Sequence, residues 1–278
     1  MFGSALILFR ESLEAALLIG IIAAATRGIQ HRNRWLLIGI AAGVMGSLIV
    51  AWLTESIAQM ADGVGQEIFA ATILGIAVVM IGWHNIWMAS HGKEMAQKAK
   101  NVGGDIVSGK QELSAIAIAI ALTVLREGSE SVLFLQGMVA SASSSAGSVM
   151  LGALLGLIAG GLLGVVTYFG LLRIPLKRFF SVTSGLLLLL AAGLAGQMAK
   201  FLNQADIIPS LASPLWDISR FLPSDTGIGS ALHILLGYEA QPAGMQVIFY
   251  VTTFVCILAC STLVQRHSKS SSYLLKTA

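Results

Sequence analysis

Seven apolar runs, each about 20 residues long, constrain the fold of this chain more than any other feature. A run of that length matches an α-helix that crosses the hydrocarbon core of a bilayer. Only 11% of the residues are charged, against about 25% in soluble domains, and the alternating pattern of an outer-membrane β-barrel is absent. We therefore predict an all-α membrane protein with seven transmembrane helices. The predicted spans are about 4–26, 35–57, 67–90, 113–139, 149–172, 179–202 and 244–264.

Basic residues concentrate in alternate loops of this arrangement. Positive charge favours the cytoplasmic side of a membrane, so the N-terminus is predicted to lie outside and the C-terminus in the cytoplasm. Only Lys200 and Arg220 fall on the outer side. The inner basic residues are spread over several loops rather than gathered in one patch, so no nucleic-acid partner is expected. These residues are Arg27, Arg32, Arg34, Lys93, Lys98, Lys100, Lys110, Arg173, Lys177, Arg178, Arg266, Lys269 and Lys276.

Two charged motifs of the form R-E-x-x-E interrupt the apolar runs. They are Arg10–Glu14 in the first predicted helix and Arg126–Glu130 in the fourth. An ionised side chain at the centre of a spanning helix costs roughly 2.5–3.5 kcal/mol on insertion scales. At about 100° per residue, the arginine and both glutamates of each motif share one helix face. Because such a face is too costly in lipid, we predict that both faces point into the bundle and towards each other.

The predicted topology places the two motifs on antiparallel helices, three helices apart. This arrangement is typical of an inverted repeat, whose substrate site lies near the membrane midplane between the repeats. Within a single membrane domain of residues 1–278, we assign repeat 1 to about 1–100 and repeat 2 to about 113–202. A periplasmic segment, 203–243, and helix 7, 244–264, complete the domain.

Four carboxylates from two helices form a site of hard oxygen ligands, which suits Mg, Ca, Mn and iron. Arg10 and Arg126 have no acceptor atoms, so we assign them to orienting the carboxylates by charge-assisted hydrogen bonds. Two motifs, each with two carboxylates and one guanidinium, give a net charge of −2. A divalent cation neutralises this charge, whereas a trivalent one leaves an excess positive charge unless another acid joins. The predicted metal ligands are Glu11, Glu14, Glu127 and Glu130.

The motif pair, in the first and fourth of seven helices, resembles the oxidase-dependent high-affinity iron permease family and in particular its bacterial members. The resemblance covers most of the chain and implies that both glutamates of each motif are iron ligands or relay groups of the permeation path. The commonest family motif is R-E-G-L-E; this chain has Ser12 in place of Gly and Ser129 in place of Leu, both off the charged face. Further stretches that carry the resemblance are Gln66–Phe69, Phe179–Phe180, Ala191–Ala195 and Gly237–Glu239.

The function expected from these observations is high-affinity import of iron across a bacterial inner membrane, by a transporter rather than an enzyme. The ion enters from the periplasm, meets the paired glutamates near the midplane and leaves to the cytoplasm. We expect no permanent cofactor, and the resemblance implies a periplasmic iron-binding protein and a haem peroxidase-like protein as partners. One alternative is a permease for another divalent ion, such as lead or manganese. Another is a membrane-embedded metalloenzyme, which usually needs more histidine ligands.

Three further residues are candidates for a secondary ion path. Glu239 lies at a predicted outer position, where it and His233 could recruit cations, and Glu67 lies at the outer start of the third predicted helix. His84, near the inner end of the third predicted helix, could join an exit path. The flanking Trp83 and Trp87 are predicted to belong to an interfacial aromatic belt.

Two segments and two glycine stripes complete the prediction. The polar stretch 91–112 is predicted to be a cytoplasmic loop, and the segment 203–243 to hold short interfacial helices. Glycines four residues apart indicate close helix packing. They are Gly39 and Gly43 in helix 2, and Gly152, Gly156, Gly160 and Gly164 in helix 5.

Overall fold

The computed structural model of the chain describes residues 1–60, 65–140, 145–170, 176–222, 229, 232–233 and 236–277, except for some side chains within helices, such as those of His91, Phe179 and Phe180. In these ranges the chain forms seven long helices and no strand. Each predicted span overlaps one of them, so the all-helical class is confirmed. The helices are α1 (Phe2–Ala25), α2 (Arg32–Met60), α3 (Gln66–Val107), α4 (Ser114–Ala140), α5 (Ala146–Tyr168), α6 (Leu176–Gln204) and α7 (Gly244–Thr277).

Helix α3 is much longer than its apolar run, and the predicted loop over 91–112 is wrong as far as Val107. The helix has 42 residues. Its second half contains no proline, and its three Ala and three Lys are good helix formers. The pair Glu94–Lys98, four residues apart and 2.9 Å between Oε1 and Nζ, adds a little stability. The true connection to α4 is therefore only 108–113.

Among the residues that the structure describes, five helices are long and apolar enough to cross a membrane by length and composition. Helices α1 and α4 are also long, at 24 and 27 residues, but each carries the three charges of an R-E-x-x-E motif. The protein is thus a multi-pass membrane protein, and in the described part of the chain its buried arginine and glutamate side chains belong to α1 and α4. The five apolar spans are Arg32–Ser56, Glu67–Trp87, Ala146–Tyr168, Ser181–Gln204 and Gly244–Val264.

The helices pair across the predicted repeats rather than within them. Helix α1 packs most extensively on α5, and α2 packs most extensively on α4. Helix α3 packs on α6, and α6 also holds α7. The predicted glycine stripes lie at these contacts: a Cβ on Gly39 would come 2.7 Å from the Ala117 carbonyl oxygen, and one on Gly43 would come 2.6 Å from Val124 Cβ. In α5 the stripe faces α1, which lets the two backbones touch.

Two apolar clusters divide the bundle along its axis. The Phe134 cluster lies towards the Met1 end of α1, and the Ile120 cluster lies towards the opposite end, near Ala25. In α4, the motif residues lie between Phe134 on one side and Ile120 on the other. The Phe134 cluster comprises Ile7, Leu8, Leu74, Ala77, Ile81, Phe134, Met138, Val149, Ala153, Leu187, Leu188, Leu190, Ala191, Leu194 and Ile257. The Ile120 cluster comprises Ile22, Ala99, Ile106, Ile116 and Ile120.

The segment before α7 is irregular over residues 205–222, so the short helices predicted there are not found in that part. It is fixed instead by backbone hydrogen bonds to the residues just before α7. The Leu215 N–H donates to the Pro242 carbonyl (2.8 Å), and the Ile218 N–H donates to the Ala240 carbonyl (3.0 Å). Of the following residues, 229, 232, 233 and 236 are helical.

Candidate metal centre

The first motif lies in the middle of α1, fully inside the bundle. Arg10 is 1% exposed, and Glu11 and Glu14 are buried as well. Arg10 Nε lies 2.9 Å from Glu14 Oε1, four residues along the same helix face. This pairing leaves Glu11 as the carboxylate that points away from the guanidinium towards the other helices. The predicted common face of the three charged residues is therefore present.

The second motif lies in α4 and repeats this pairing. Arg126 Nε donates to Glu130 Oε1 at 3.1 Å, again four residues apart, and lies 4.0 Å from Glu127 Oε1. Glu127 is buried, whereas the side chain of Glu130 is 14% exposed. In both motifs the arginine thus holds the last glutamate and leaves the first one for other contacts.

His84 of α3 lies between the two motifs. Its ring is 2% exposed, and Nδ1 contacts Glu130 Oε2. Its Nε2 lies 3.6 Å from Glu14 Oε2 and 3.9 Å from Glu11 Oε1. The prediction that His84 lies near the inner end of α3 is wrong: α3 continues for 23 residues of helix beyond it. The ring is at the level of both motifs, in the centre of the cluster.

The side chains of three helices converge on one small volume. One potential ligand atom from each of Glu11, His84, Glu127 and Glu130 lies within 4.8 Å of the others. Opposed ligands of an ion with bonds of about 2.1 Å are about 4.2 Å apart, so these atoms need little movement to surround a cation. Glu14, the fourth predicted ligand, is outside this group and is held by Arg10 instead.

Most of the buried polar atoms of the cluster lack an aligned hydrogen bond, although Arg10 pairs with Glu14 and Arg126 donates to Glu130. In the described part of the chain, all the buried side-chain nitrogen and oxygen atoms without such a bond belong to Arg10, Glu11, Glu14, His84, Glu127 or Glu130. Buried carboxylates that no donor satisfies cost several kcal/mol each. A network that served only to fix helix register would be expected to satisfy its members. The arrangement favours a cation as the missing partner.

The two motifs differ in their exposure. The Arg126 side chain is 33% exposed, against 1% for Arg10. The Arg126 guanidinium lies over the ring of Trp87, 4.2 Å from its centroid, while Trp83 is 71% exposed. The aromatic-belt prediction therefore misses the role of Trp87, which stacks on a motif residue. Nothing in the sequence indicates that Arg126 of α4 contacts Trp87 of α3.

The two serines that depart from the commonest motif lie off the charged face, as predicted. Ser12 Oγ donates to the Phe9 carbonyl at 3.2 Å and approaches the Gly156 carbonyl of α5 at 3.5 Å. Ser129 Oγ donates to the Arg126 carbonyl of its own helix at 2.9 Å. Neither serine contacts the carboxylates, so the substitutions leave the charged cluster intact.

Two of the candidates for a secondary path lie apart from the cluster. Glu67 is exposed in the first turn of α3, 17 residues before His84, which is about 25 Å along the helix axis. Glu239 Oε2 lies 3.5 Å from His233 Nδ1 in the segment before α7. The other ring nitrogen of His233 lies 3.0 Å from Gln197 Nε2. Their role in ion recruitment stays a prediction.

Comparison with known proteins gives a match over almost the whole chain. The model of the family described as "Iron permease FTR1 family" matches residues 1–272. The protein named ferrous iron permease EfeU in Escherichia coli O6:K15:H31 is 30% identical over 98% of this chain and 99% of its own length. The one of that name in Yersinia pestis is 28% identical, over 98% and 97%. No solved structure matches the chain. The family resemblance read from the motifs is thus confirmed.

Proposed function

The chain belongs to the iron permease FTR1 family, and from this premise we propose that it imports ferrous iron across the bacterial inner membrane. Its relatives are named permeases, so it is a transporter rather than an enzyme. The observation that carries the proposal is the buried cluster in which glutamates of both R-E-x-x-E motifs lie within 4.8 Å of one another. The net charge of −2 from four carboxylates and two guanidiniums matches a divalent ion.

We assign the ion site to the glutamates of the two motifs. Glu11, Glu127 and Glu130 are the direct ligands. Once Glu14 separates from Arg10, Glu14 also binds the ion or relays it along the path. Arg10 and Arg126 orient the last glutamate of each motif, as their contacts of 2.9 and 3.1 Å suggest. Each arginine also lowers the cost of an ionised carboxylate inside the bundle when no cation is bound.

The proposed topology has seven spans, with the N-terminus in the periplasm and the C-terminus in the cytoplasm. Helices 1–3 and 4–6 form inverted repeats. The helix pairs support this proposal. An inverted repeat relates α1 to α4, α2 to α5 and α3 to α6. Under this relation the α1–α5 contact corresponds to the α2–α4 contact, and the α3–α6 contact corresponds to itself. A pseudo-twofold axis in the membrane plane has this effect.

In this topology, the Phe134 cluster closes the periplasmic side of the site and the Ile120 cluster closes the cytoplasmic side. The site then lies between two apolar layers along the axis of the bundle. Import requires that each layer opens in turn, because simultaneous opening would let other ions pass. A periplasmic iron-binding protein and a haem peroxidase-like protein remain the proposed partners on the periplasmic side.

Uptake of radioactive iron into liposomes that contain the purified full-length chain tests the proposal. We expect the double variant Glu11→Gln, Glu130→Gln to reduce uptake of Fe²⁺ by on the order of 100-fold, because both motifs lose an anionic ligand with little change in shape. Glu112→Gln, at an exposed carboxylate in the loop before α4, is the matched control. Uptake by the double variant at the control rate would disprove the site assignment.

The same assay separates the rival functions. Stronger competition by Mn²⁺ or Pb²⁺ than by unlabelled Fe²⁺ would favour a permease for another divalent ion. Metal that stays bound in a stoichiometric amount through washing, without any flux, would favour an embedded metalloenzyme.

A further inference from the structure

We propose that His84 is the residue that selects transition metals over Mg²⁺ and Ca²⁺ at this site, as a nitrogen ligand shared by the two motifs. This inference rests on the proposed function, since it concerns the ion that the permease admits. The two motifs alone supply only oxygen ligands, and His84 adds a different donor atom at the point where they meet.

The position of His84 fits a ligand better than a packing residue. The ring is 2% exposed, and both of its nitrogens face carboxylates of the two motifs. Here Nδ1 is directed at the Glu130 carboxylate of α4, and Nε2 faces the Glu11 and Glu14 carboxylates of α1.

Imidazole changes which ions such a site prefers. Carboxylate and water ligands suit Mg²⁺, Ca²⁺ and Mn²⁺, whereas imidazole nitrogen suits iron, nickel, copper and zinc. Within the first-row divalent ions, affinity rises from Mn²⁺ through Fe²⁺ to Cu²⁺. His84 therefore discriminates against the hard alkaline-earth ions and, less strongly, against Mn²⁺, but it does not exclude Zn²⁺ or Cu²⁺.

The orientation of the His84 ring indicates a different role for each of its two nitrogens. A metal-binding histidine usually donates its other N–H to a carboxylate, which fixes its orientation. With Nδ1 donating to Glu130, the lone pair of Nε2 points towards the carboxylates of α1. Asn85, the next residue, ties this turn of α3 to α6 because its Nδ2 donates to the Ser184 carbonyl at 3.0 Å.

Competition experiments on the reconstituted full chain test the proposal. The variant His84→Asn keeps a polar side chain but removes the imidazole, and His31→Asn is the control at an exposed loop position. We expect Mg²⁺ or Ca²⁺ to inhibit Fe²⁺ uptake by His84→Asn at concentrations on the order of tenfold lower than in the wild type. Inhibition by Zn²⁺ should weaken, and the control should keep the wild-type pattern.

A spectroscopic measurement keeps the proposal testable if His84→Asn does not fold. Pulsed electron paramagnetic resonance on the untagged wild-type protein with one equivalent of Cu²⁺ should show coupling to an imidazole nitrogen, and His31→Asn should keep it. Absence of this coupling, or an unchanged competition pattern in a folded His84→Asn, would overturn the role of His84. Neither result would affect the proposed function, which is tested separately by iron uptake of the wild type.

Discussion

Gly128, the third residue of the second motif, packs directly against Ser47 of α2. The first motif has the reverse arrangement, because Ser12 of α1 packs against Gly160 of α5. Each motif helix thus meets its partner helix through one serine and one glycine, with the two residues exchanged between the two halves. Ser47 Oγ also approaches the Val124 carbonyl at 3.4 Å, much as Ser12 Oγ approaches α5. The Gly-to-Ser departure at position 12 is compensated by the glycine opposite it.

This complementarity predicts that Gly128→Ala destabilises the protein. The new Cβ would overlap Ser47 Oγ and lie 2.8 Å from Ser47 Cβ, so α2 and α4 would move apart at a cost of about 1–3 kcal/mol. The added variant Ser47→Gly should restore most of the stability. Thermal unfolding in detergent measures both effects. Gly161→Ala, where nothing lies within 4 Å, is the control. Equal stability of Gly128→Ala and Gly161→Ala would contradict the prediction.

The stack of Trp87 on Arg126 predicts a role for this tryptophan in uptake. Trp87→Leu removes a cation–π contact of about 0.5–2 kcal/mol and leaves Arg126 less constrained beside Glu130. We expect iron uptake to fall by about 2- to 30-fold, with Trp87→Phe retaining part of the activity. Trp83→Leu, at a neighbouring tryptophan with 71% exposure, should transport at the wild-type rate. A matching loss in Trp83→Leu would indicate a general effect of tryptophan removal.

The Phe134 cluster predicts a barrier on one side of the site. Phe134 is 1% exposed, and Phe134→Ala removes a large side chain from a sealed layer, at a cost of about 3–5 kcal/mol of stability if no neighbour collapses into the space. We also expect proton leakage through liposomes that contain this variant. Phe221→Ala, at a side chain with 90% exposure, should show neither effect. A stable, leak-free Phe134→Ala would exclude a barrier role for this residue.

Asp217 predicts a pH-dependent loosening of the segment before α7. The hydroxyl and backbone N–H of Ser219 and the amide of Gln241 donate to this carboxylate and hold its pKa below the ordinary 3.8. The ionised form therefore stabilises the segment at pH above 3.8, and this contribution is lost as the pH falls through the folded-state pKa. Hydrogen exchange of the Ile218 amide, corrected for intrinsic rates, should accelerate over that interval. Asp217→Asn should lack this pH dependence.

The unsatisfied carboxylates predict that a bound cation stabilises the protein. Fe²⁺ kept reduced at about 100 times its dissociation constant should add about 2.7 kcal/mol to the free energy of unfolding. A chelator should reverse the effect. Glu127→Gln should weaken the stabilisation, whereas Glu112→Gln should not. An equal stabilisation of wild type and Glu127→Gln would place the bound ion elsewhere.

The burial of the two motifs could be predicted from the sequence, because charged side chains in a spanning helix are too costly to face lipid. Charges at Arg10, Glu11 and Glu14 in an apolar helix must be buried, and a second copy in α4 supplies the partner. Helical periodicity also places Ser12 off the charged face. These conclusions depend on geometry within one helix, which the chain encodes locally.

The contribution of α3 could not be predicted in the same way. Whether His84 faces the motifs or lipid depends on the rotation of α3 about its own axis, which is set by its packing against α1, α4 and α6. The same rotation decides that Trp87 covers Arg126 while Trp83 is exposed. A polar stretch such as 91–107 fits an exposed helix as well as a loop, so the sequence does not predict the helical extension to Val107 either.

The glycine contacts of α1 with α5 and of α2 with α4 have a consequence for release of the ion. Each tight pair carries one motif, so a displacement of one pair relative to the other separates Glu11 from Glu127 and Glu130. The movement that opens the path then also separates the metal ligands. In the proposed mechanism, the ion loses the ligands of one motif when the exit path opens, and tight binding need not slow turnover.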